Sequence, residues 1–203
     1  SVPQKLFNPS QNGYDWLWKV LLHGNLLDFE FIKRLKSDYK TLYGYDEIEK
    51  PKEGIKYKDG MKSNSTKKFY TWKFLEANQV NSFHAEANIL WKDKAEELFS
   101  QGKIDSDYNV GYLPDDNVFI GDKVLIREAL TKDFKALCVF DKNNYLFNQS
   151  ISAIKLKKEF EDNVSFVKIL KSIVGLYNSK LFTYYIFHTS SSAGVDRARA
   201  IIN

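Results

Sequence analysis

Acid–base, nucleophilic and metal chemistry would have to come from few residues of this chain. Its histidines are His23, His84 and His188, and no two have the short helical spacing of a metal-binding pair. His84 and Glu86 have the His-x-Glu spacing of zinc deaminases, but no Pro-Cys-x-x-Cys follows and the single cysteine is Cys138. Cys138 lies inside the apolar string KALCVF, where a thiol is expected as core filler and not as a nucleophile. The motif with which amino-methyltransferases grip a target amine, an acidic residue or Asn followed by two prolines and an aromatic, is absent. Asn8-Pro9-Ser10 lacks both the second proline and the aromatic. The ten glycines are scattered singly, so no glycine-rich cradle for ATP or S-adenosylmethionine follows a strand. Nor do acidic residues and a Glu-x-Lys fall on neighbouring strand-like segments, as a metal-dependent nuclease requires. No catalytic residue, metal site or cofactor site is expected within these residues.

Charge says more. Between Lys50 and Lys73 stand eight lysines (50, 52, 56, 58, 62, 67, 68 and 73) against Glu53 and Asp59, an excess of six where the whole chain carries +4. They alternate with Tyr57, Tyr70 and Trp72 and with Ser63, Asn64 and Ser65, which pairs phosphate anchors with side chains able to stack or hydrogen-bond. Lys56, Lys58, Lys62, Asn64, Lys67 and Lys68 are the candidate nucleic-acid contacts of this segment. A solvated loop whose lysines only keep the surface charged is an equal reading of the same residues. Arg197 and Arg199 would share one face of a terminal strand and are candidates for phosphate, or for a neighbouring part of a larger protein. Lys155, Lys157 and Lys158 precede Glu159, Glu161 and Asp162 and read as a balanced surface.

These residues need elements to hold them. Apolar positions from Trp16 to Leu42 keep one helical face, broken into two helices at Gly24-Asn25, with Asn25 or Asp28 able to cap the second. From Pro51 to Lys68 glycines and small polar residues take over, as in an exposed loop or loose hairpin. A strand is expected in KFYTWKFLEANQV, and a short helix from Lys92 to Gln101 stopped by Gly102. KVLIREAL, FKALCVF and YLFNQSISAIKL are the most strand-like strings, the last two joined by a hairpin turn at Asp141–Asn144. One long amphipathic helix is expected from about Ser165 to His188, with its aromatic stripe in the core, and RARAII is a candidate last strand. The fold class is α+β, a strand-rich central sheet flanked by N-terminal helices and a long C-terminal helix.

A chain of 203 residues, 43% hydrophobic and 15% aromatic, can bury one substantial core, and a single domain over 1–203 is expected. Within it, 1–50 is a helical entry segment, 51–160 the strand and loop region, and 161–203 the C-terminal helix and final strand. A lone cysteine excludes a disulfide framework and fits a reducing compartment, so the cytoplasm is the expected location. No apolar run approaches the roughly 20 residues that span a bilayer, and no membrane partner is expected. The opening SVPQKLFNPSQ has the character of a piece cut from something longer.

The string Gly175-Leu176-Tyr177-Asn178-Ser179-Lys180-Leu181-Phe182, with Tyr184 and Tyr185 after it, resembles the "lLNSkLfsyyl" helix that ends one kind of recognition domain. That domain is the TaqI-like C-terminal specificity domain of adenine-N6 DNA methyltransferases and of related single-chain type II restriction-modification enzymes. An early "W..ll.G" pattern is similar to Trp18–Gly24, a "kllire" strand to Lys123–Glu128, and an "f.fn.si" strand to Tyr145–Ile151, so the resemblance covers most of 14–199. The family often has Leu where Tyr177 stands. The resemblance implies a bacterial target-recognition module that clamps double-stranded DNA, joined in one parent chain to a methyltransferase domain that binds S-adenosylmethionine and flips the adenine. The module itself would be no enzyme, and the matching strings are scaffold, so they do not locate the base-reading residues. Two rivals stand beside this expectation: half of a separate type I specificity subunit, and a protein-interaction module docking on a catalytic partner. The first would show an internal repeat and a heptad spacer, and the sequence has neither.

Overall fold

The computed structural model describes residues 16–38, 45–57 and 64–189. In chain order its helices are α1 (Leu17–His23), α2 (Leu26–Asp38), α3 (Trp91–Ser100), α4 (Val164–Tyr177) and α5 (Lys180–Thr189). Its strands are β1 (Lys52–Glu53), β2 (Asn64–Ser65), β3 (Lys73–Leu75), β4 (Val80–Asn81), β5 (His84–Ala85) and β6 (Ile89–Leu90). They continue with β7 (Asn109–Val110), β8 (Lys123–Arg127), β9 (Cys138–Asp141), β10 (Tyr145–Phe147) and β11 (Ile151–Ile154). The fold is α+β, and the chain divides into two compact units. Unit 1 comprises Ser1–Tyr45, Glu128–Ala136 and Leu176–Asn203, and unit 2 comprises Asp46–Arg127 and Leu137–Gly175. Among the described residues no helix is long and apolar enough to cross a membrane.

Unit 1 is helical. Gly24 and Asn25 end α1 and start α2, and both capping residues expected from the sequence take part. Asn25 Oδ1 accepts the Leu27 N–H at 2.8 Å and the Asp28 N–H at 3.3 Å, while Asp28 Oδ2 accepts the Asn25 N–H at 2.7 Å. Trp16, Leu17, Val20, Phe29 and Ile32 form the core, with Tyr184 and Tyr185 of α5 packed against it. The apolar spacing predicts one helix from Ser165 to His188, but there are two, because Ser179 caps a new start. Its Oγ accepts the Phe182 N–H at 3.1 Å, and its own N–H donates to Leu176 O at 3.0 Å. In the sequence the apolar spacing runs through Tyr177, Leu181, Tyr184 and Tyr185 without a break, so periodicity alone does not register the interruption.

Unit 2 holds the sheets. β1-β11-β8-β9 is antiparallel throughout, and β10-β3-β6 joins a parallel pair to an antiparallel one. β8, β10 and β11 are buried along nearly their whole length, which is why they read as continuous apolar runs and not as alternating ones. The hairpin expected at Asp141–Asn144 does not form: β9 pairs with β8, while β10 pairs in parallel with β3 in the other sheet. The turn's polar groups are spent on β8 instead. Buried Lys123 reaches Asn143 O at 2.5 Å, Gly121 O at 3.1 Å and Asp141 Oδ2 at 3.2 Å, and Asn143 Nδ2 donates to Asp141 Oδ1 at 2.8 Å. That wiring steers the chain out of one sheet and into the next.

The helix predicted from Lys92 to Gln101 is α3. It ends in a Schellman motif, with Gly102 N–H donating to Phe99 O at 2.9 Å, Lys103 N–H to Leu98 O at 2.9 Å, and Gly102 at φ +66°. Trp91, Phe74, Phe119, Phe147 and Leu146 lie at the centre of the core, each fully buried side chain stabilising by roughly 1.5 to 3 kcal/mol. Cys138 is buried as expected of core filler, and burial pushes its thiol up to about 12, which keeps it protonated and unreactive.

Candidate nucleic-acid interface

Four of the sequence-predicted contacts, Lys56, Asn64, Lys67 and Lys68, fall on described residues, and the structure gathers them along one segment, 105–116. Lys58 and Lys62, like Arg197 and Arg199 and the candidate strand RARAII, lie outside the described residues. The stretch expected as an exposed loop or loose hairpin is partly a ladder. Lys56 pairs antiparallel with Tyr112, Gly111 N–H donates to Tyr57 O at 3.1 Å, and β2 continues as Asn64 opposite Val110 and Ser65 opposite Asn109. Asn64 Nδ2 donates to Val110 O at 3.4 Å and Gly111 O at 3.3 Å, so its amide braces the ladder. Buried Thr66 fixes the next step, its hydroxyl donating to Tyr108 O at 2.7 Å.

The facing segment is shaped by Asp105. Its carboxylate accepts the backbone N–H groups of Asp107 and Asn109 and the Asn109 amide, all at 2.9 Å, and these bonds, the Asn109 N–H foremost, hold it below the usual carboxylate range. Asp107 and Asp116 then meet the lysines. Lys67 Nζ lies 2.8 Å from Asp107, and Lys68 Nζ lies 2.6 Å from Asp116. Lys56 Nζ is 2.8 Å from Glu53 and sits 5.8 Å from the centre of the Tyr112 ring. Hydrogen bonding to Asp107 raises the Lys67 ammonium above its ordinary value, so it is charged at any physiological pH.

A charge count confined to 50–73 misses these acidic partners because they arrive from 40 and 48 residues further along the chain. The pairs are half exposed, however, with Lys67 at 52% and Lys68 at 53%. Water screens pairs of this kind, which contribute little to stability, so a phosphate oxygen can replace the carboxylate at small cost.

The aromatic residues divide. Tyr57, Tyr70 and Trp72 pack on the core: Trp72 lies 4.9 Å from Phe69, Tyr70 lies 5.5 Å from Tyr108, and Tyr57 Oη accepts from Asn148 at 3.3 Å. Burial pushes the Tyr57 hydroxyl up to about 12. The aromatic left open beside the lysines is Tyr112, 44% exposed, which nothing in the sequence pattern singles out.

No protein-family model matches the chain, and no curated protein matches it. The residues themselves therefore carry the reading. Among the described residues no group of three or more His, Cys, Asp or Glu could hold a metal ion. Of the second basic group, Lys155 departs from a balanced surface, while Lys158 is exposed beside Glu159. Lys155 is buried, donating to Asn117 O at 2.9 Å and Ile120 O at 2.8 Å with Glu161 at 3.2 Å, and so acts as a strut under the loop that carries Asp116.

Proposed function

We propose that this chain recognises a specific double-stranded DNA target for a bacterial adenine-N6 methyltransferase of the restriction-modification type, acting in the cytoplasm. The observation that carries the reading is the strip of Lys56, Lys67 and Lys68, set by one ladder and by Thr66 and each meeting an exposed carboxylate. Cations spaced along an ordered backbone suit a phosphate chain, fixing register while leaving sequence to other side chains. The resemblance to the TaqI-like specificity domain supports the same role. Its strings coincide with α1, β8, β10 and the α4–α5 junction, of which β8 and β10 are buried strands. In this reading the methyl transfer and S-adenosylmethionine belong to a methyltransferase domain of the same parent chain.

Replacing Lys56, Lys67 and Lys68 by alanine tests it. Binding to short duplexes should weaken, and the slope of log affinity against log salt should become shallower by about 0.9 for each phosphate that the variant no longer neutralises. Unchanged affinity and slope at low salt would remove the lysine strip from the interface.

One observation favours a second reading, a module that docks on a catalytic protein. Trp18, Leu22 and Leu27 of unit 1 are 60%, 75% and 78% exposed, large apolar side chains on α1 and α2 that a partner surface would cover. Docking without DNA contact would leave duplex affinity weak and the lysine variants indistinguishable from wild type.

A further inference from the structure

In the β4–β5 hairpin of unit 2 one residue, Phe83, holds a strained backbone conformation while its side chain stays open. Asn81 pairs with His84, so the loop is Ser82-Phe83, and Phe83 has φ 66°. A two-residue turn with positive φ at its second position is ordinarily filled by Gly or Asn, and a bulky residue there is strained. The other aromatic residues at positive φ, Tyr108 and Phe134, each pack against a ring, Tyr70 at 5.5 Å and Phe187 at 5.9 Å. Phe83 is 67% exposed, and among the described residues no ring or cation packs on it. The turn is nonetheless fixed, because the Phe83 N–H donates to Cys138 O of β9 at 3.4 Å.

The pleat sorts the flanking side chains. Val80, opposite Ala85, is fully buried, so Asn81 and His84, opposite each other, share the outward face. Asn25, Asn109, Asn148 and Asn163 spend their side chains on loop backbone or on neighbouring side chains. The exposed Asn81 amide and Ser82 hydroxyl bond to nothing among the described residues, and His84 has only Glu86, at 3.6 Å. A donor–acceptor amide, a hydroxyl, an imidazole and an open aromatic ring are thus presented together on a rigid two-stranded ribbon.

We infer that the Asn81-Ser82-Phe83-His84 hairpin is the element that reads base edges in the DNA major groove. A two-stranded ribbon fits that groove, a carboxamide matches the paired donor and acceptor of adenine, and an aromatic ring packs on the thymine methyl. The inference rests on the DNA reading above and adds to it the side chains that carry sequence discrimination, which the lysines cannot.

Selection from a pool of short duplexes of randomised sequence, using the whole chain, provides the test. The wild type should enrich a defined sequence. Asn81→Ala, His84→Ala and Phe83→Gly should each lower the preference for that sequence over the unselected pool by roughly ten- to a hundredfold, with pool affinity and salt slope unchanged. Phe83→Gly also relieves the backbone, so its melting temperature should equal or exceed that of wild type, which separates lost reading from lost folding. Variants that keep the wild-type preference would overturn the hairpin's role while the DNA reading stands, and would turn Phe83 toward a protein partner. Pool binding without enrichment by the wild type would equally overturn it. A wild type that binds no duplex at low salt would overturn the DNA reading itself, and the hairpin's role with it.

Discussion

His188 is 4% exposed among the helices of unit 1, with the Tyr184 ring 4.5 Å away and Asp28, His23 and Lys19 as its charged or titratable neighbours. Burial is the main reason its imidazole is held below the ordinary 6.5; Asp28 opposes this, and His23 and Lys19 reinforce it. With the folded value depressed, the unfolded chain takes up the proton first. The contribution to stability is therefore full above pH 6.5 and is lost as pH falls through the folded value. Asp28 accepts the Tyr184 hydroxyl, and that bond, with the Asn25 N–H, holds its carboxyl below 3.8, so its contribution is lost at still lower pH. Unit 1 should lose stability in two steps on acidification. His188→Gln should erase the upper step and keep the lower, as followed by the fluorescence of Trp16 stacked on Phe29. The buried Lys123–Asp141 pair gives a second test. Asp141→Ala strands a buried ammonium and should cost about 3 to 5 kcal/mol in denaturant unfolding, whereas Lys123→Met with Asp141→Leu should cost much less. The burial of Lys123 and Lys155 was not legible in the sequence, where Lys123 heads an apolar string like any solvent-facing strand entry and Lys155 sits among other charges.

At the scale of elements, legibility followed local chemistry. Gly24-Asn25 and Gly102 mark their helix ends unmistakably, since each supplies a cap or a left-handed residue that few other side chains could provide. Asp141–Asn144 has the composition of a hairpin turn, and it does turn the chain. Which strands then pair depends on Lys123, reaching Asn143 from 20 residues away, and no local rule contains that. Ser179 is the intermediate case, a good cap placed where the apolar period runs on undisturbed. Ser179→Ala should therefore destabilise unit 1 by about 1 kcal/mol, the usual loss on removing an N-cap. Thermal melting would measure it, and no change would mean that the α4–α5 break is set by packing, with Tyr177 and Phe182 in contact at 4.2 Å.

At the scale of the molecule, the candidate contact strip was legible as charge and its shape was not. Lysines 56, 67 and 68 stand out in composition, but their arrangement depends on Thr66, Asp107 and Asp116, residues ordinary in sequence and joined only by the fold. The same segment closes unit 2. Lys52 and Glu53 pair with β11, Ile55 N–H donates to Phe147 O at 2.9 Å beside β10, and Lys56 bridges to Tyr112, so one short stretch ties together both large sheets and the ladder. Gly54 stands at the crossing. A Cβ there would lie 2.1 Å from Phe147 O and 2.7 Å from Asn148 O, both backbone atoms that cannot swing aside. Gly175 offers the contrast, an exposed position within α4 where an added Cβ meets nothing within 4 Å. Gly54→Ala should force the sheets apart and cost at least about 1 to 3 kcal/mol, as overpacking does. Gly175→Ala should instead stabilise by about 0.5 to 1 kcal/mol, through the helix propensity of alanine. Because Gly54 lies two residues before Lys56, Gly54→Ala should also weaken duplex binding at low salt, while Gly175→Ala leaves it intact. Equal melting temperatures for the two variants would mean that unit 2 does not depend on this crossing.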